Sequence, residues 1–229
     1  MNNICMTVLT DGRKQYIEKS LPTWIEQYDS QIDNKFIIDD SGDPEYRDWL
    51  SSTFPSFKII PVAENRAGYV KAMRKVFSTV LDSGSMYCLH IEDDFILLKP
   101  FVIDDVIKVL QEFPELSQMS FMRQPWYKNE IVSGGVIDAL EKVGCYFNQR
   151  YSRTPPYYPW VIHKAFWTCN PSIFPAWVAK YTWPESDWSE SEFGKKIRSE
   201  GKVSGIWGDR KTDWISVEHI GKESNGTKN

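Results

Sequence analysis

Apolar positions in the first half of the chain alternate between two rhythms. Ile4–Leu9 is a short continuous apolar run that stops at Thr10-Asp11-Gly12, as a buried strand does. Tyr16, Ile17, Leu21, Trp24, Ile25 and Tyr28 then recur at helical spacing. Lys35–Ile38 reads as a second strand, running into the turn-rich Asp39-Asp40-Ser41-Gly42-Asp43-Pro44, and Phe57–Val62 reads as a third. Ala67, Val70, Met73, Phe77 and Val80 line one face of a helix that gives out at Asp82-Ser83-Gly84. The run Met86–Phe95, MYCLHIEDDF, follows as a fourth strand. A strand-helix alternation of this kind predicts an α/β, Rossmann-like fold with a mainly parallel sheet flanked by helices. Its ligands are expected at the carboxyl ends of the strands, where Thr10-Asp11, Asp39-Asp40 and Glu92-Asp93-Asp94 converge.

The second half is less regular. Val102–Phe113 has a helical period and Gln118–Met122 a strand pattern, whereas Arg123–Tyr158 is rich in Pro, Gly and aromatics and predicts a long loop. Within it Gln124–Pro159, beside the expected rim, is a candidate lid. Ala165–Asn170 and Trp177–Tyr181 read as ordered. Ser189–Glu200 predicts a helix closed by Gly201, with Ser189 as N-cap and Glu192 completing a capping box. Val203–Trp207 and Trp214–Val217 are strand-like, and Glu223–Asn229 is a polar tail. No repeat, low-complexity tract or linker divides the chain. One domain over residues 1–229 is therefore expected, with halves of about 1–100 and 101–222 and a tail at 223–229.

Composition narrows the class. With 229 residues, 41% of them hydrophobic, the chain buries a sizeable core. A net charge of −4 gives no general electrostatic footprint for nucleic acid. Cys5, Cys88, Cys145 and Cys169 lack CxxC spacing and read as reduced thiols. No apolar run reaches the ~18 residues of a membrane span, and the N-terminus lacks a signal-peptide layout. A cytoplasmic protein without membrane association is the expectation.

The triplet Glu92, Asp93 and Asp94 carries the strongest chemical signal. Carboxylates clustered at the rim of a core repel one another and lose hydration, so they persist where a cation neutralises them. Mg²⁺ or Mn²⁺, sharing its coordination with a substrate diphosphate, meets that need. The alternative is an acidic strand-to-loop turn that faces water.

The α/β half, the acidic triplet after an apolar strand and the aromatic-rich second half together resemble the GT-A nucleotide-sugar glycosyltransferases. Their DXD motif appears here as Glu92-Asp93-Asp94, with Glu in place of the usual first Asp. LTDGR (Leu9–Arg13), DDSGDPEYRDWL (Asp39–Leu50), HIEDDF, MRQPW (Met122–Trp126), TCNPSIF (Thr168–Phe174), WPESDWSESEF (Trp183–Phe193) and HIG (His219–Gly221) resemble small glycosyltransferases encoded by bacteriophages and some bacteria. The resemblance covers most of the chain.

That resemblance implies a metal-dependent, inverting sugar transfer from a nucleotide-sugar, with a UDP-sugar as the expected donor. It assigns the metal to Asp94, with His219 as a second ligand and Glu92 as a further candidate at the metal, and gives Asp93 to the donor ribose or the metal's water shell. Thr10, Asp11, Asp39 and Asp40 occupy positions that contact base and ribose, although Asp before Gly also serves turns. Arg66 and Gly68 correspond to the loop-to-helix element under the donor, with a solvated Arg as the alternative. His219 is otherwise a packed or surface residue, and His90 a hydrogen-bonded sheet residue. Glu190 falls where inverting enzymes place their base, with Asp187 as runner-up. The alternative role for Glu190 is to complement the helix dipole. Trp126, Trp160, Trp183 and Trp188 either stack on sugars or fill the core. The acceptor stays open among a protein such as a virion component, a small molecule and modified DNA. The rival readings are a sugar nucleotidyltransferase, which Thr10–Lys14 is too Gly-poor to support, and a non-catalytic carbohydrate-binding protein.

Overall fold

A computed structural model of the chain describes residues 3–210 and 214–221. Eleven strands are found there: β1 (Ile4–Thr10), β2 (Asn34–Asp39), β3 (Lys58–Pro61), β4 (Tyr87–Glu92), β5 (Phe95–Leu97), β6 (Leu116–Phe121), β7 (Phe147–Tyr151), β8 (Pro159–His163), β9 (Ser172–Pro175), β10 (Val203–Trp207) and β11 (Val217–His219). Seven α-helices accompany them: α1 (Lys14–Tyr28), α2 (Pro44–Thr53), α3 (Tyr69–Asp82), α4 (Ile103–Glu112), α5 (Lys128–Ser133), α6 (Val136–Glu141) and α7 (Ser189–Ser199).

Nine strands form one sheet in the order β3-β2-β1-β4-β9-β6-β10-β8-β7. β1 runs parallel to β2 and to β4, and β6 parallel to β10, while β9 lies antiparallel between β4 and β6. Every residue of β1 is buried, and its side chains alternate between two cores. Met6 and Val8 meet Ile17, Leu21 and Trp24 of α1 and Val106 of α4 on one face. Cys5 and Leu9 meet Met73, Val76 and Phe77 of α3 and Phe193 of α7 on the other. A period of two in the strand and of 3.6 in the helices thus produces a sheet covered on both sides. The chain leaves β1 toward β2 and β3, then crosses back to β4, which creates a switch point at the carboxyl ends of β1, β2 and β4.

The second half departs from expectation in several places. Arg123–Tyr158 is not a long loop but holds α5, α6 and β7. Each of the two helices spans six residues, too few for a hydrophobic period to show. Glu130 fixes the start of α5 by accepting from the Trp126 and Tyr127 amides, and Gly134 at φ 99° ends that helix. The strand expected at Trp214–Val217 lies at Val217–His219, held antiparallel to β5. Ser189 is the first residue of α7 rather than its N-cap, because the turn in which the Trp188 amide donates to Ser186 Oγ starts the helix one residue earlier. The Glu192 amide accordingly donates to the Trp188 carbonyl, and no Ser189 side-chain cap forms. Ala67 precedes α3 instead of belonging to it. The tail Glu223–Asn229 lies outside the described residues. All four cysteines are free, and no helix among the described residues is long and apolar enough to cross a membrane.

Candidate active site

The site forms where β1, β2 and β4 end. Asp93 is fully buried and Asp94 nearly so, in the turn between β4 and β5. Their neutralising partner is a residue that sequence reasoning passed over. Arg13, opening α1, donates to Asp93 Oδ1 through Nη2 and to Asp94 Oδ2 through Nη1 at 2.8 Å, and its Nε forms an ion pair with Asp11 Oδ1 at 2.8 Å. The need for a cation at the triplet is thus met in part from within the chain. Arg13 stands in the LTDGR segment, two residues from Asp11, and that pairing was the available signal.

Thr10 Oγ1 donates to Asp93 Oδ2 at 2.7 Å and contacts the Tyr46 hydroxyl at 2.8 Å. Burial pushes the Asp93 carboxyl up to about 7 against the opposing pull of Arg13. Asp94 goes the other way. Burial would raise it, but the His219 and Arg13 contacts outweigh that and hold it below the usual carboxylate range. Glu92, at the end of β4, is held well above its usual range by burial and by repulsion from Asp94 and Glu190.

β5 and β11 deliver His219. Their antiparallel register sets His219 opposite Phe95, and the two rings stack at 4.7 Å. Trp126 packs on His219 at 4.2 Å, and Gln124 bonds both the His219 amide and its carbonyl. His219 Nε2 then lies 3.3 Å from Asp94 Oδ2. Gly221 is required beside this pair, since a Cβ there would sit 2.2 Å from Asp94 Oδ2 and 3.1 Å from His219 Nε2. Asp94 Oδ1 is buried without a hydrogen-bond partner. A buried carboxylate oxygen of low basicity next to an imidazole nitrogen is a fitting donor set for Mn²⁺ or Mg²⁺. Among the described residues no group of three or more His, Cys, Asp and Glu side chains converges as a ready metal cage. Asp94 and His219 are the residues present that would hold such an ion.

The nucleotide-side residues fall into two groups. Asp39 accepts from the Ser41 amide at 2.9 Å and from Arg47 Nε at 2.8 Å. Asp40 accepts from the Ala67 amide at 2.8 Å and the Gly68 amide at 2.9 Å, and thereby ties the 66–68 turn to β2. Gly68 adopts φ 89°, a left-handed conformation that favours glycine. Asp11 and Arg66 form an ion pair at the more open edge of the same rim.

Glu190, whose charge also acts on Glu92, stands half-buried in the first turn of α7. Its Oε1 accepts from the Cys169 amide at 3.0 Å, and burial raises its pKa. It lines a cavity of about 410 Å³ between α6, the 165–170 segment and α7. Asp187 is exposed and does not line that cavity. Of the tryptophans, Trp160 and Trp183 belong to the cores, Trp126 backs His219, and Trp188 is 77% exposed. His90 is fully buried, with Nδ1 2.9 Å from Thr7 Oγ1.

No protein-family model matches the chain, and no curated protein does. Solved structures do. A mannosyltransferase from Pyrobaculum calidifontis, in complex with GDP-Man and Mn²⁺, superposes over 95% of this chain and 56% of its own with a TM-score of 0.62 at 13% identity. Residues 1–349 of S. aureus TarS, in complex with UDP-GlcNAc, superpose over 98% of this chain and 60% of theirs, also at 0.62 and 13%. TarS without that ligand gives 0.60 over 96% of this chain. The chain thus spans less than two thirds of the length of these structures. The likeness shows the fold: a large, mostly parallel sheet flanked by helices, as in these glycosyltransferases and in the GT-A-like architecture expected from the sequence.

Proposed function

We propose that the chain is a metal-dependent glycosyltransferase that moves a sugar, with inversion, from a nucleotide-sugar to an acceptor hydroxyl. The UDP-sugar remains the preferred donor, following the resemblance. The observation that carries the reading is the Asp94 carboxylate, whose Oδ2 lies 3.3 Å from His219 Nε2 and whose Oδ1 is buried without a partner, at the switch point where such folds bind nucleotides. Support comes from the structural neighbours, two of which hold a nucleotide-sugar and one of which also holds Mn²⁺.

Asp94 and His219 would hold the divalent ion, which when bound neutralises negative charge building on the departing diphosphate. Arg13 places a guanidinium against the same carboxylates and fixes their geometry. Asp11 and Arg66 meet the nucleotide at the open edge, while Asp39 and Asp40 act by shaping its floor. Glu190 accepts the proton of the acceptor hydroxyl as that oxygen bonds to the anomeric carbon. The bond from that carbon to the diphosphate oxygen breaks, and its electron pair leaves with the nucleotide. A base whose pKa is raised by burial is better matched to neutral pH than a free carboxylate.

Calorimetry of UDP binding with and without Mn²⁺ tests the reading. Asp94→Asn should weaken the Mn²⁺-dependent part of binding by at least about tenfold, the scale of disturbed metal sites. His219→Ala should lose less, because water can replace an imidazole. Unchanged affinity in Asp94→Asn, with Mn²⁺ present, would sink the proposal.

A further inference from the structure

The cavity beside Glu190 carries a charge that sugar transfer alone does not explain. Ser191, Lys195 and Arg198 follow one another along one face of α7 at spacings of four and three residues, with Gly194 three after Ser191 and four before Arg198. Ser191, Lys195 and Arg198 all line the cavity. Helical side chains lean toward the N-terminus of their helix, here the end that bears Glu190. Gly194 clears the path for Arg198. A Cβ at that position would lie 3.0 Å from Arg198 Nη1 and 3.1 Å from the Trp167 backbone nitrogen.

Among the described residues Arg198 has no carboxylate partner. Its Nη1 is buried without a hydrogen bond, and burial lowers its pKa against a smaller opposing pull from the Cys145 thiol. The cavity's other guanidinium differs. Arg123 is matched by Glu130 through two hydrogen bonds of 2.8 and 2.9 Å and adds no net charge. Lys195, exposed at the mouth, forms no ion pair among the described residues. A partly buried, unpaired guanidinium is costly in the free protein, and a bound anion would remove that cost.

On the glycosyl-transfer reading above, we propose that this cavity binds an acceptor bearing a phosphate group, held by Arg198 and Lys195, next to the hydroxyl that Glu190 deprotonates. Phosphate suits the pair better than a carboxylate does. A phosphate ester carries about −1.5 to −2 charge at neutral pH and three acceptor oxygens, enough to engage both cations. The phosphate is a handle and is not consumed.

The experiment is calorimetry on the full chain with UDP and Mn²⁺ at saturation, so that the donor's own diphosphate position is filled. Glycerol 1-phosphate, glycerate and glycerol are then titrated as probes. Glycerol 1-phosphate should bind more tightly than either of the others. Arg198→Gln should weaken it by at least about tenfold, the usual scale for a hydrogen bond to a charged group, and Arg198→Lys should recover part of the loss. Lys195→Gln, at an exposed position, should weaken it less, and it carries the test if melting shows that Arg198→Gln does not fold. Glycerol 1-phosphate binding no better than glycerol, or equally well to the variants, would overturn the proposal, and glycerate binding as tightly would overturn the choice of phosphate. Failure of UDP to bind the unaltered chain would instead defeat the nucleotide-sugar reading. The phosphate site then stands or falls on whether Arg198→Gln removes phosphate binding while Asp94→Asn leaves it.

Discussion

Glu190 concentrates the chemistry of the second half of the chain in one side chain. The Cys169 amide and the Thr168 hydroxyl fix its carboxylate, and burial raises its pKa. If it is the base, Glu190→Gln should keep the shape and lower turnover by ~10²–10⁴-fold, while UDP affinity barely changes. A base must be deprotonated to act, so the rate should fall on the acid side of the raised pKa, and that limb should vanish in Glu190→Gln. Rates across pH for that variant and for Asp187→Asn decide the matter. Activity retained in the first and lost in the second would move the base to Asp187. At this scale the sequence displays carboxylates but not their partners. Glu92, Asp93 and Asp94 stand out because they end an apolar run. Their pairing with Arg13 depends on how the β1–α1 turn points a side chain, across 80 residues for Asp93. The approach of His219 to Asp94 spans 125 residues and rests on the register of β5 with β11.

Elements were legible in proportion to their length and burial. β1 and β4 are largely apolar runs, β2 holds Phe36-Ile37-Ile38 before a dense turn, and α1 and α3 carry four turns of period, so their residues announce them. α5 and α6 are invisible to periodicity, and their stability comes from contacts that sequence does not order. Arg123 and Glu130 pair at one end, and Arg210 bonds Glu141 with both guanidinium nitrogens at 2.7 and 2.9 Å at the other. The candidate lid therefore narrows. β7 belongs to the nine-stranded sheet, so mobility is expected in α5 and α6, which expose Ile131 and Val132. Helices of six residues are marginal without tertiary support. Amide exchange in 128–141 should slow when UDP and Mn²⁺ bind, with β7 unchanged. Equal exchange throughout, with and without ligand, would make this segment a fixed wall.

Across the whole molecule, buried titratable groups pull stability in opposite directions as pH changes. Asp40, Glu92, Asp93 and Glu190 have pKa values raised by burial, so the native state binds protons that the unfolded chain releases, and stability drops as pH rises through their folded values. His90 and His163 do the reverse. Burial lowers them to about 4 and about 3, so each stays neutral in the fold while the unfolded chain takes up a proton below its ordinary pKa of about 6.5. Their contribution is complete above that value and is lost as pH falls toward the folded pKa. The opposing carboxyls mask this in the intact chain, so the test is a difference between variants. His163 lies between the rings of Phe147 and Phe166, at 5.1 and 4.3 Å, and neither of its nitrogens has a hydrogen-bond partner. Phenylalanine suits those surroundings and cannot titrate. His163→Phe should therefore gain about 2 kcal/mol over the unaltered chain between pH 7 and pH 5, from the linkage slope of about 1.4 kcal/mol per pH unit for one proton. Denaturant unfolding of both chains at the two pH values measures that gain. A stability difference that stayed constant with pH would show that His163 finds a partner for its proton in the folded state.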